Sequence, residues 1–116
     1  IKLPDIFMFV HPVGTVLGNA DYKDYLVIYQ NVTVGSTSDA IYPSFSTGCV
    51  LYSKASIIGN CCLGNNVIVG ANSSVINCDI ESQRSVVGQY PNHRIIASKV
   101  DVATDIFCEK TFRNHK

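Results

Sequence analysis

The sequence has no tryptophan and one methionine, and only 16% of its 116 residues are charged. Nine Lys and Arg balance nine Asp and Glu, so the formal net charge is zero. Nucleic-acid-binding chains usually carry a basic excess or stripe, and its lack here argues against such a partner. No apolar run approaches the roughly 18 residues that span a bilayer, so no membrane partner is expected. The opening Ile1-Lys2-Leu3-Pro4-Asp5 lacks a basic segment leading into an apolar one, so a cytoplasmic location is expected. The chain does not begin with Met, and an upstream segment is expected for that reason. There is no Cys-x-x-Cys pair. Five cysteines, with Cys61 and Cys62 adjacent, fit neither a closed disulfide framework nor a zinc template. Reduced structural thiols, and no metal, are the expectation.

What is present is apolar: 47% of the residues are hydrophobic, too many for a disordered segment. The length suits one domain with a real but shallow core. Neither helical periodicity nor strict alternation dominates; a period of six does. Bulky apolar residues fall at Val10, Val16, Tyr22, Ile28 and Val34, then, after a slip of five, at Phe45, Leu51, Ile57, Leu63, Val69 and Val75. A second track four residues after these reads Gly14, Ala20, Leu26, Val32, then Cys49, Ala55, Cys61, Val67 and Ser73. Asn and Gly crowd the intervals, as in Ile58-Gly59-Asn60 and Leu63-Gly64-Asn65-Asn66.

This rhythm predicts an all-β fold, a parallel β-helix of hexapeptide repeats. Each hexad is a short strand and a tight turn, and three hexads close a triangular coil of about 18 residues. Bulky residues point into the prism, small ones sit near its corners, and Asn and Gly take turns that need positive φ. Cys49 and Cys61 then read as small buried hydrophobes. An antiparallel sandwich would instead need irregular turns every 8–12 residues or so. The five-residue slip must loop outward, because the coils on either side keep register; a loop on a rigid scaffold often carries function. Residues 1–80 are expected to form the repeat region, with a protruding loop at 36–44. Residues 81–116 are expected to supply exit strands and a capping tail, with the hexad register fading after Val75. Ser85-Val86-Val87-Gly88 and Arg94-Ile95-Ile96-Ala97 look like strands, and residues 102–112 like a helix presenting Val102, Ile106 and Phe107 on one face.

With these hexads, the series His11-Pro12-Val13-Gly14-Thr15-Val16-Leu17-Gly18, Tyr29-Gln30-Asn31-Val32-Thr33-Val34-Gly35, Ile41-Tyr42-Pro43 and Val69-Gly70-Ala71-Asn72-Ser73 resembles the left-handed β-helix acyltransferases. More narrowly, it resembles their serine acetyltransferase branch and its relatives in surface-polysaccharide gene clusters, over about residues 8–96. The left hand of the coils is implied by the resemblance alone; it is an exception to the usual right-handed crossover.

The resemblance implies that His11 is a general base. It takes a proton from an acceptor hydroxyl as that oxygen attacks an acetyl thioester, a task suited to an imidazole that exchanges protons near neutral pH. Gln30 and Asn31, one coil above, and Tyr42 in the loop are expected beside it as acceptor-binding groups. The implied donor is acetyl-CoA, its pantetheine arm lying along the coils past Ser53 and Ala71, with Arg94 meeting a phosphate. A homotrimer with sites at subunit borders is implied too. The family's acidic partner for the base has no counterpart in register, since Asp5 is the only upstream acid. Serine acetyltransferases carry a His where Tyr42 stands and an Asp where Val10 stands, which favours a sugar hydroxyl over L-serine as acceptor. His93 and His115 read as surface residues.

Two other functions compete with O-acetyl transfer. One is an N-acyltransferase acting on an amino sugar, which shares fold and donor. The other is a non-catalytic β-helix serving as a binding or structural module. No regular threonine ladder of an ice-binding surface occurs, and His11, His93 and His115 do not match the spacing of a zinc-dependent carbonic anhydrase.

Overall fold

A computed structural model describes residues 1–37 and 39–109. The chain winds as a three-faced prism. The first face stacks β1 (Phe7–Phe9), β3 (Leu26–Ile28), β6 (Val50–Leu51), β9 (Ile68–Val69) and β11 (Arg84–Val87). The second stacks β2 (Val16–Leu17), β4 (Thr33–Gly35), β7 (Ser56–Ile58) and β10 (Ser74–Ile76). On the third, β5 (Ser44–Phe45) pairs with β8 (Cys62–Leu63), and single bridges join Asp21 to Ser44 and Leu63 to Ile80. All of these pairings are parallel. Only β12 (Arg94–Ala97) is antiparallel, folded back on β11.

Nine bulky track residues, from Tyr22 through Val75, line the core, and every one is buried. So are the small ones from Ala20 to Ser73, including Cys49 and Cys61. The Cys49 thiol donates weakly to the Ser46 and Gly64 carbonyls (3.4 Å each), so it behaves as a small hydrophobe with a satisfied proton. Tyr22 stacks on Phe45 across one coil step, ring centroids 5.4 Å apart.

The corners explain the Asn and Ser between hexads. Asn31, Asn66, Asn72 and Asn77 have φ between 49° and 56°, which Asn tolerates better than most side chains. Corner side chains also accept backbone N–H groups from the coil below. Asn77 Oδ1 takes the Asn60 N–H (2.8 Å), Asp79 Oδ1 that of Cys62 (2.9 Å) and Ser82 Oγ that of Asn65 (2.8 Å). Turn groups that a solenoid would otherwise leave unpaired are satisfied in this way.

The register departs from a fixed six at both ends. Phe9, not Val10, pairs with Ile28, and Leu17, not Val16, pairs with Val34. Val16 is 62% exposed and Val10 lies among outward-facing side chains. The cause is a two-residue excess between β1 and β2: eight residues separate Phe9 from Leu17, where six separate Ile28 from Val34. After Val75 the rhythm does not fade. It drops one residue and goes on through Ile80 and Val86, both buried.

The segment after β12 runs back along the outside of the first face. Its helix is a single turn, α1 (Val102–Asp105). Val102 is buried against the outward Val27 and Val50, and Ile106 and Phe107 join the same cluster. The Gln83 side chain donates to the Ser98 and Val100 carbonyls, and Asn66 Oδ1 accepts the Val102 N–H (2.9 Å). The tail is thus strapped to the side of the prism. Residues 110–112 of the expected helix, and His115, lie outside the described residues.

Candidate active site

The corner between the first and second faces carries most of the residues singled out by sequence. Each coil passes it by the same short path: an inward residue, an outward one, a corner residue, then one with positive φ. Ile28-Tyr29-Gln30-Asn31, Leu51-Tyr52-Ser53-Lys54 and Val69-Gly70-Ala71-Asn72 follow it, with φ of 56°, 64° and 56° at the last positions. Backbone bonds stitch the steps together. The Lys54 N–H donates to the Gln30 carbonyl (3.0 Å) and the Asn72 N–H to the Ser53 carbonyl (2.8 Å). Gln30, Ser53 and Ala71 therefore stand in one column parallel to the prism axis.

At the foot of that column the Asn31 N–H donates to the Val13 carbonyl (2.8 Å). Asn31 Oδ1 fills the place a β-carbon on Gly14 would take, so Gly14 (φ 71°) is required there. Phe9 to Gly14 covers in five steps what Ile28 to Asn31 covers in three. The excess is a bulge, and His11 and Pro12 form it. His11 is exposed, has φ 48°, and its carbonyl accepts the Val13 N–H (2.7 Å). Its imidazole is presented at the corner because the chain must leave the prism surface to absorb two residues. At the upper end Arg94 pairs with Val87 and is exposed. His11, Gln30, Asn31, Ser53, Ala71 and Arg94 thus share one edge of the prism.

Tyr42 does not. The chain leaves the end of β4 and returns at β5, at the corner between the second and third faces. His11 precedes β2 and the loop follows β4, and β2 pairs with β4. The imidazole and the loop therefore lie at opposite edges of the same face. The expectation that His11, Gln30, Asn31 and the loop base cluster within one chain is corrected accordingly. Tyr42 is half-buried, its ring packed on Gly18 and the core.

Sequence reasoning did not single out Tyr29 and Tyr52, which stack outside the column with ring centroids 4.8 Å apart. Their signal is recurrence: each directly precedes a corner residue, one coil apart. His93 is half-buried and stacks on Tyr90 at 5.6 Å, rather than lying open on the surface. Among the described residues no three His, Cys, Asp or Glu gather closely enough to hold a metal. A cavity of about 400 Å³ lies elsewhere, between residues 2–5 and 19–24 with Thr47, and none of the candidate residues lines it. Among the described residues no helix is long and apolar enough to cross a membrane.

No protein-family model matches the chain. Whole sequences do. It is 38% identical over 96 residues to a serine acetyltransferase of Synechococcus elongatus, covering 79% of this chain and 38% of that protein. Among solved structures, a serine acetyltransferase from Vibrio cholerae superposes with a TM-score of 0.79 at 26% identity, over 89% of this chain and 41% of that one. A serine acetyltransferase in complex with CoA superposes with a TM-score of 0.71 at 29% identity, over 82% and 39%. The chain thus spans about two fifths of the length of these relatives. With the stacked parallel coils, these likenesses define a hexapeptide-repeat left-handed β-helix. In sequence and in fold the chain is serine acetyltransferase-like over the part of those proteins that it spans.

Proposed function

We propose that this chain is the β-helix of an acetyl-CoA-dependent O-acetyltransferase, with His11 as its general base. The observation that carries the reading is the shared edge: the imidazole at its foot, Gln30, Ser53 and Ala71 in column above it, and Arg94 at its top. Five strand steps of 4.8 Å or so separate β1 from β12, which makes the edge about 24 Å tall. An extended pantetheine arm with the diphosphate beyond it suits that height, with its thioester at His11 and its phosphates near Arg94. The CoA complex of a structurally similar serine acetyltransferase supports this donor.

In the proposed reaction an imidazole nitrogen of His11 accepts the proton of the acceptor hydroxyl as its oxygen attacks the thioester carbonyl. The tetrahedral intermediate collapses with cleavage of the C–S bond. The leaving sulfur takes the proton back from the imidazolium, giving the acetyl ester and free CoA. Gln30 and Asn31, next to the bulge, orient the acceptor. The relatives' name points to serine. The absence of charge at Val10 and Tyr42, where the resemblance expects Asp and His, favours an acceptor without an ammonium group, a sugar hydroxyl.

Assembly enters through the separation of His11 from the loop. One chain holds them at opposite edges of its second face, so a cleft containing both needs the loop of another copy. A homotrimer, with each border formed by the bulge of one subunit and the loop of the next, supplies this.

The test is thiol release from acetyl-CoA across a panel of serine and sugar acceptors, run on the wild type and on His11→Ala. Turnover that drops by a factor of about 100 or more in the variant supports the base. Full transfer by the variant removes His11 from that role. Transfer to amines alone would replace the reading with N-acylation. CoA binding without turnover on any acceptor would replace it with a binding module.

A further inference from the structure

The outward residues beside the column read Val10, Tyr29, Tyr52, Gly70 and Val87 from foot to top. We infer that the stacked Tyr29–Tyr52 pair is an aromatic wall against which the pantetheine arm of the acyl donor lies, with Tyr52 setting donor affinity. The inference rests on the proposed acetyl-CoA reading and adds to it a binding surface on the first face.

Three features point to the pair. The first is position. Tyr29 and Tyr52 directly precede Gln30 and Ser53, so the rings flank the polar column where an arm running along it would pass. The second is rigidity. The Tyr29 N–H donates to the Leu51 carbonyl and the Tyr52 N–H to the Val69 carbonyl, both at 3.0 Å. Thr15 Oγ1 donates to the Tyr29 carbonyl at 2.9 Å. The rings lie 27° from parallel and rest on the cluster formed by Val27, Val50 and Val102. Both are half-buried, so one side of each is held and the rest is open. A wall fixed in advance binds without an ordering cost.

The third feature is the step above. Gly70 follows Tyr52 in the column, and a β-carbon there would stand 3.1 Å from the Val86 carbonyl oxygen. With its N–H held by the Val86 carbonyl (2.8 Å), the glycine adds no side chain above the aromatic pair and leaves the path along the column open there. Ring faces with an uncovered step above them match the methylene and gem-dimethyl stretches that separate the two amides of pantetheine. Tyr29, next to the bulge, faces the thioester end, and Tyr52 the middle of the arm.

The experiment compares the wild type with Tyr52→Ala, using acetyl-CoA and the short thioester S-acetyl-N-acetylcysteamine, with CoA binding followed by calorimetry. Loss of the ring raises KM for acetyl-CoA and Kd for CoA about tenfold, the size expected for one aromatic contact. The effect on kcat is smaller, and KM for the short donor, which ends before the middle of the arm, moves by less than about twofold. Thermal melting of both proteins checks that the variant is folded. A folded variant with wild-type affinity for CoA overturns the wall while leaving the acetyl-CoA reading intact. An equal rise in KM for both donors overturns it too, since it marks distortion rather than a lost contact. A wild-type protein that binds no CoA overturns the reading and the wall together.

Discussion

The ring of Tyr42 lies on the backbone of Gly18. A β-carbon at residue 18 would stand 2.6 Å from Tyr42 Cε1 and 2.7 Å from the Val34 carbonyl oxygen. This is where the outward loop is anchored to the coil beneath it. Gly18→Ala is expected to destabilise the fold by about 1–3 kcal/mol, the usual cost of overpacking, measured by urea unfolding. Adding Tyr42→Ala recovers only part of the loss, because the carbonyl contact remains. Full recovery would show that the ring alone sets the requirement for glycine.

The one-residue shift near the top of the prism predicts unequal neighbours. Val86 is fully buried and Val87 is 49% exposed, although continuing the count of six from Val75 would select Val87. Val86→Ala should cost about 2 kcal/mol or more through the cavity it leaves, and Val87→Ala about 0.5 kcal/mol or less. Denaturation midpoints in the reverse order would overturn the register after Val75.

Burial pushes the Cys49 thiol from its ordinary 9.0 up to about 12. Below pH 9 folded and unfolded chains both keep this proton, so its contribution to stability is constant. Between 9 and about 12 only the unfolded chain releases it, and stability falls as pH rises. The slope is about 1.4 kcal/mol per pH unit. Cys49→Ala places in the track the same residue as Ala20 and Ala55, and its urea midpoint should fall less steeply between about pH 8 and about pH 10 than that of the wild type. Equal slopes would remove Cys49 as the source.

The five thiols should also differ toward a thiol reagent. Cys62 and Cys108 are exposed, Cys78 is half-buried, and Cys49 and Cys61 are buried. Burial also pushes Cys61 and Cys78 up. Reaction at pH 8 is expected to be fast at Cys62 and Cys108, slow at Cys78, and to need denaturant at Cys49 and Cys61. Rapid labelling of Cys49 in the folded protein would contradict the small inward track.

Much of the prism was legible in the sequence. The alternation of a bulky and a small residue within each hexad named the inward side chains from Ala20 to Val75, and the five-residue slip marked the loop. The ends were less legible. Phe7-Met8-Phe9-Val10 offers several apolar residues in a row, so counting alone could not choose Phe9 over Val10. The two extra residues at His11 and Pro12 are masked, because the outward Val10 and Val16 still stand six apart. The same blindness hid the loss of one residue after Val75.

The sequence by itself determined the hexad prism, because burial in a solenoid repeats along one dimension and can be counted on a line. It also nominated the imidazole and the residues stacked above it. Only the tertiary structure decided which edge each occupies. It put His11 and Tyr42 on opposite sides of one face, laid the tail along the first face, and stacked Tyr29 on Tyr52. Those are relations between coils, fixed by how many residues each corner absorbs, and a gain or loss of one or two residues is masked wherever a neighbouring apolar residue also fits the count of six.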